Sequence, residues 1–318
     1  MKVFTQLVSV CMLSAAAAFV PTTPTLAPST ALNSLSEAPS GHIELFPEEF
    51  NNSERIEGGS TVRTYSIPPW ATRIQYKFSS GGRPMRGEAN LWLGPLRKTH
   101  TLKFDTENGR ELPIQGTLKF KKGPPTLKVS TSSDPNCPLD FSMYVPDPDR
   151  AKQLEGITEG IHHSSSPPEK QHIQGSGVDG KNGMWVYWHI PAEVKSIQVV
   201  GWSVDTGKKS FKCDLELLKG PNNRMQTLFL QCGGGSQPYH AVYQTPGPGW
   251  TLRVRNKKFV EDGKVELTVL PYEYETNQGY NSDNGNQGGY GNNFQSPQSF
   301  GGNNGSYGSA WDSWDSRM

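Results

Sequence analysis

Few residues of this chain have the type and spacing that chemistry requires. His162-His163 could contribute to a metal site, but they lie beside "SSSPP" (164–168) with no third ligand close in sequence. A protein zinc site needs three or four converging ligands, so the pair reads as part of a flexible connector. The stretch "GSGVDGKN" (175–182) fits the G-x-G-x-x-G spacing. Phosphate cradling needs a helix N-terminus behind the glycines. Here the apolar "MWVYW" (184–188) follows and reads as a strand, and Asn182 stands where a P-loop needs a hydroxyl. A Gly-rich turn is the simpler account. Asp205 and Glu216 could be posed as an acid–base pair, although Asp205 sits in a turn. Trp70, Trp92, Trp185 and Trp188 have the flat faces that stack on sugar rings, and core or inter-domain packing explains the same residues without a ligand. No G-x-S-x-G and no H-E-x-x-H occurs. The residues point to a protein that is not an enzyme and has no metal or cofactor.

The elements that must position these residues are short strands. "YSIPPWATRIQYKF" (65–78) is matched by "YWHIPAEVKSIQVVGW" (187–202), with Ile67-Pro68 over Ile190-Pro191 and Ile74 over Ile197 at a shift of 123. "NLWLGPLRKTHTLKF" (90–104) is matched by "ELLKGPNNRMQTLFL" (216–230), with Gly94-Pro95 over Gly220-Pro221 at a shift of 126. "GPPTLKV" (123–129) then answers "GPGWTLRV" (247–254), and "LDFSMYV" (139–145) answers "VELTVLP" (265–271). Four blocks repeated in one order indicate two tandem homologous domains. Neither Asp205 nor Glu216 has a counterpart in the first copy.

Within each copy, apolar and polar residues alternate, as at Ile74/Tyr76/Phe78, Leu102/Phe104, Ile197/Val199 and Val265/Leu267/Val269. A period of two is the signature of a strand with one buried face. Gly, Pro and Asn clusters separate the runs. About six strands per copy, each with one face to bury, predict an all-β chain of two antiparallel β-sandwich-like domains. The expected boundaries are 41–148 and 173–272. Residues 149–172 form a linker with one helical turn near Ala151–Leu154.

Both ends of the chain have a different composition. Lys2 and an apolar run to Ala18 read as a cleaved signal peptide rather than a membrane span, and Phe19 begins a Ser/Thr/Pro/Ala-rich stretch with no acid before Glu37. Residues 1–18 and 19–40 together make a bipartite targeting leader, cut at Ala18-Phe19. Residues 273–318 form a Gly/Asn-rich tail that cannot bury enough apolar surface to fold and is expected to be disordered. It carries five carboxylates (Glu273, Glu275, Asp283, Asp312, Asp315) against Arg317 and ends in "WDSWDS". Trp311 and Trp314, with Asp312 and Asp315 between and beside them, are the candidate assembly residues, because large aromatics anchor interfaces. The net charge of +1 carries no basic excess of the kind nucleic acid requires. Cys137, Cys213 and Cys232 are odd in number and lack C-x-x-C spacing, so they read as buried free thiols.

The bipartite leader, the two copies with their Ile-Pro and Gly-Pro landmarks, and the Asn/Gly/Tyr tail together resemble the pyrenoid shell proteins of diatoms. The resemblance runs from Phe19 through nearly the whole chain. It implies a structural protein of the chloroplast stroma that assembles with itself into a two-dimensional sheet. That sheet encases the Rubisco matrix at the pyrenoid periphery and supports CO2 concentration and carbon fixation. The resemblance also implies Rubisco or a matrix linker as a further partner. A plastid carbohydrate-binding module is the alternative and requires a coplanar exposed row of aromatics.

Overall fold

The computed structural model describes residues 45–46, 50, 53–121, 123, 125–175, 185–203, 211–232, 237–257 and 264–275. The first repeat supplies β1 (Glu54–Ile56), β2 (Val62–Ser66), β3 (Arg73–Ser79), β4 (Met85–Leu93), β5 (Arg97–Thr106), β6 (Ile114–Lys119), β7 (Pro125–Thr131) and β8 (Leu139–Tyr144). A helix, α1 (Pro148–Ser164), leads to the second repeat. There follow β9 (Lys170–Gln174), β10 (Val186–His189), β11 (Val194–Ser203) and β12 (Phe211–Lys219). The chain then forms β13 (Asn223–Cys232), β14 (Tyr239–Gln244), β15 (Trp250–Asn256) and β16 (Lys264–Tyr274).

The alternating runs pair into two eight-stranded antiparallel sheets. One has the order β1-β8-β3-β6-β14-β11-β16-β9, the other β10-β15-β12-β13-β5-β4-β7-β2. Each order is a palindrome of the two repeats: β3 occupies the place of β11, β5 that of β13, β8 that of β16. Ile74 and Ile197 therefore hold equivalent positions, as do Leu102 and Leu228. Each repeat is a four-over-four sandwich, and both sheets run without interruption from one repeat into the other. The seams are β6 against β14, with Gly116 opposite Ala241, and β5 against β13, with Leu102 opposite Leu230.

One apolar core fills the space between the sheets and spans both repeats, from Ile56 through Phe78, Phe104 and Leu118 to Leu230, Tyr243 and Val269. Phe78 packs on Phe104 and Phe141 at ring-centroid distances of 4.7 and 5.0 Å. Fully burying a side chain of this kind contributes roughly 1.5–3 kcal/mol. At the seam, the hydroxyls of Tyr239 and Tyr243, both on β14, meet, with Tyr76 of the first repeat beside them, all three buried.

The linker differs from its expected form. Residues 148–164 make five turns of helix instead of one, and β9 is paired to β16. Asp147 caps the helix by accepting from the backbone N–H of Asp149 at 2.9 Å and of Arg150 at 2.8 Å, and Pro148 sits at the first helical position. The helix has a narrow buried stripe, Ala151, Leu154, Thr158 and His162, which lies on the outer face of the first sheet. Leu154 joins Val242, Leu45, Phe46 and Phe50 in a second small core, and Thr158 Oγ1 lies 3.0 Å from Nδ1 of His240. Tertiary burial of that stripe, not helix propensity, holds the segment.

Candidate assembly surface

The side chains singled out for chemistry fall into separate places. His162 is buried at the end of α1, its ring stacked on Trp202 at 4.5 Å and its Nε2 3.1 Å from Oε2 of Glu266. Burial, with Lys170 beside it, pulls its pKa down to about 4. Lys170 reaches the same carboxylate at 3.5 Å and donates to the His162 carbonyl at 2.7 Å, while His172 Nδ1 lies 3.3 Å from Oε1. His162-His163 is thus not a flexible pair: the cluster latches the helix end to β9 and β16. Among the described residues, no group of three or more His, Cys, Asp or Glu is placed to hold a metal. Of "GSGVDGKN" only Gly175 is described, and Asp205 lies outside the described residues, as do Ala18, Phe19, Trp311, Asp312, Trp314 and Asp315.

Glu216 on β12 has cationic partners. Nε of Arg253 donates to it at 2.7 Å, and Arg224 lies 3.8 Å away. One pleat along, Asp214 is bound by Arg255 at 2.8 Å, with Lys257 at 3.6 Å. In the first repeat, Arg86 pairs with Asp105 at 3.0 Å. These pairs form a charged ladder on the outer face of the second sheet, and each carboxylate is matched to a guanidinium. Trp185 lies against that ladder, 4.6 Å from the Arg253 guanidinium and 4.7 Å from that of Arg255. Trp188 is buried and donates to the Glu169 carbonyl at 3.1 Å. Trp92 belongs to β4, with four strands between it and β10, the strand next to Trp185, and Trp70 stands on a loop. The four rings do not make one exposed row. Cys137, Cys213 and Cys232 are free and buried, and burial pushes the thiols of Cys213 and Cys232 upward.

The sandwich ends carry features that the search for chemistry overlooked. The terminal strands β1, β2, β9 and β10 are short, and charge guards the first pair: Glu54 accepts from Arg63 at 3.3 Å and from Tyr65 at 2.8 Å. Such guarding is how sheet rims avoid indiscriminate pairing. Large apolar side chains nevertheless stand in solvent at Val62, Trp70, Leu96, Tyr187 and Tyr274, and Leu96 is 92% exposed. The described residues thus form a double sandwich that shares both sheets, with ion-paired clusters on its faces and exposed apolar side chains at its ends and rims.

The pattern of the family described as diatom pyrenoid shell protein matches residues 47–271, and the chain belongs to that family. It is accordingly a structural, non-catalytic protein of the plastid, located at the pyrenoid periphery, with a self-assembling role in the shell around the Rubisco matrix. No curated protein matches the chain. Among solved structures, an uncharacterised protein from Burkholderia cenocepacia aligns at 10% identity over 58% of this chain and 76% of its own. With a TM-score of 0.21, that likeness carries no argument.

Proposed function

We propose that copies of this chain join one another directly into a two-dimensional sheet, with no cofactor. The observation that supports this is the palindromic strand order. One body offers two related ends, and repeated heterologous contacts between such ends propagate unless they close into a ring. The tail adds a second contact: Trp311 and Trp314 enter apolar pockets on a neighbouring copy, and Asp312 and Asp315 meet basic side chains there. Rubisco or a matrix linker binds the finished sheet. The assembling form lacks the leader, cut first between Ala18 and Phe19, and intact-mass measurement of protein from isolated plastids tests that step.

The test of the sheet uses protein beginning near Gly41. Light scattering and electron microscopy across salt and concentration should reveal sheets, and monomers throughout would overturn the reading. Replacing both Trp311 and Trp314 with Ser should raise the critical concentration by at least ~10²-fold, since interface aromatics typically contribute ~2 kcal/mol or more each. Unchanged assembly would remove the tail from the contact. Loss of Rubisco co-sedimentation with sheets intact would assign the tail to the matrix instead.

A further inference from the structure

The two repeats provide an internal comparison of what the fold requires. The Ile-Pro loop is built identically in both. Ile67 N–H donates to the Pro125 carbonyl at 3.1 Å and Ile190 N–H to that of Trp250 at 3.0 Å; Ala71 donates to Pro68 at 3.0 Å and Val194 to Pro191 at 3.1 Å. The Gly-Pro turn is also the same, with Gly94 and Gly220 left-handed at φ 70° and 76°. Yet Trp70 corresponds to Glu193, and Leu96 to Asn222. All four side chains are exposed, Trp70 by 50% and Leu96 by 92%. The second repeat therefore shows that neither turn needs an apolar residue. Trp70 and Leu96 stand in water at positions where the same backbone carries Glu and Asn.

The two apolar residues share one end of the molecule, because the Ile67 loop bonds to Pro125 and Pro125 pairs with Leu93 at the root of the Leu96 turn. Arg97 and Lys98 follow Leu96 and are exposed. The matching end of the second repeat is mixed in charge, with Lys195, Lys219 and Arg224 exposed there, but it holds one acidic pair: Glu193 and Glu275 are exposed neighbours, the Glu275 N–H donating to the Glu193 carbonyl at 2.7 Å. These two ends point in opposite directions, since β5 and β13 begin at the two Gly-Pro turns and run antiparallel across the seam.

We propose that Trp70 and Leu96, with Arg97 and Lys98, form a docking surface for a second copy of this chain. They seat on the second repeat of that copy at the Glu193–Glu275 pair. The inference rests on the sheet-forming reading above and names the contact that propagates it. Because the two surfaces are unlike and lie on opposite ends, each copy uses one and offers the other. The contact is open and directional, and it generates a row. Arg97 and Lys98 facing the Glu193–Glu275 pair set the register, while Trp70 and Leu96 supply buried apolar area.

The experiment exchanges the residues of one repeat for those of the other. Trp70→Glu with Leu96→Asn installs side chains that the second repeat carries on the same backbone, so circular dichroism and thermal melting should match the parent chain. The critical concentration for sheets should rise on the order of 10-fold or more for each side chain. A second variant, Glu193→Arg, should fail alike. Mixing the two variants leaves one intact end on each, so analytical ultracentrifugation should find one-to-one pairs and no sheets. Normal assembly of the first variant overturns the proposal. So does normal assembly of the Glu193→Arg variant alone, which would mean that like ends meet, and so do intact sheets that have lost Rubisco. A parent chain that never assembles overturns the sheet-forming reading itself and this contact with it.

Discussion

Gly116 is the point where the seam is tightest, and adding one methyl group there should be costly. A Cβ at Gly116 would lie 2.6 Å from the Tyr76 hydroxyl, 2.9 Å from its ring carbon and 3.1 Å from the His240 carbonyl. Ordinary van der Waals contact begins near 3.4 Å, so the phenol must retreat by most of an ångström. It has nowhere to go, because the buried hydroxyls of Tyr239 and Tyr243 lie behind it. Overpacking of this kind costs ~1–3 kcal/mol, and disturbing a buried hydroxyl contact adds ~1 kcal/mol. For a body of this size each kcal/mol shifts the melting temperature by roughly 2–4 °C. Gly116→Ala should therefore lower it by about 5–15 °C, read by near-UV circular dichroism on the unassembled chain. Gly156→Ala is the control: the site is exposed on α1 with nothing within 4 Å, and Ala gains up to ~1 kcal/mol of helix propensity there. If Gly116→Ala melts within 2 °C of the parent while the control rises, the seam is looser than these distances require and Tyr76 is free to move aside.

Three further outcomes are expected. Burial pulls His100 down to about 4 and, together with Arg73, His240 to about 3. The unfolded chain, whose histidines titrate near 6.5, then binds more protons than the folded one below that pH, so stability is full above about 6.5 and falls as pH drops toward 4. A melting temperature flat from pH 7 to 4 would contradict this, and His240→Gln should reduce the slope. Arg73 is 2% exposed, neither Nη atom has a hydrogen-bond partner, and burial lowers its pKa to about 10 despite Glu155 and Glu159 nearby. Arg73→Met should leave melting unchanged or raise it, since replacing a buried charge with an apolar side chain is often stabilising; a fall of several degrees would show that the charge holds α1 in place. Cys213 and Cys232 should react with a thiol reagent only after denaturation, and labelling of native protein within minutes would show that the second repeat opens.

Much of the fold was legible because its central strands put apolar residues on one face and polar residues on the other, even where, as at Arg73 and Gln75, the polar face is itself covered. Ile74/Tyr76/Phe78 and Leu228/Leu230 alternate cleanly, and the four repeated blocks became β3, β4–β5, β7 and β8 with their partners in the second half. β14 was not legible. In "YHAVYQ" the inward side chains meet the core, while His240 and Val242 meet α1 and Leu45–Phe46, so five of its six residues are buried and no period of two survives. The helix was masked by Gly156, Gly160 and a stripe of only four buried positions, although the Asp147-Pro148 start was a visible signal. The repeat alone could not say whether the copies sit as beads or share their sheets. A hint existed: "YHAVYQ" carries no charge or proline, which a solvent-facing rim strand would need. The ion pairing of Glu216 was not legible because its partner, Arg253, lies three strands later in the chain, on β15. Trp70 was read for its ring rather than for its counterpart Glu193, although that comparison needs only the two aligned copies.

The uninterrupted seam has a mechanical consequence. Two hydrogen-bonded skins bonded to one incompressible filling behave like a stressed panel: to bend it, one skin must stretch while the other shortens. Stretching here would break inter-strand bonds across β6–β14 or β5–β13, and Tyr76, Tyr239 and Tyr243 pin the filling at the midline. The body has no hinge at its waist. When a wall of such panels curves around a rounded compartment, each panel keeps its own shape and the change of direction falls at the joints between them.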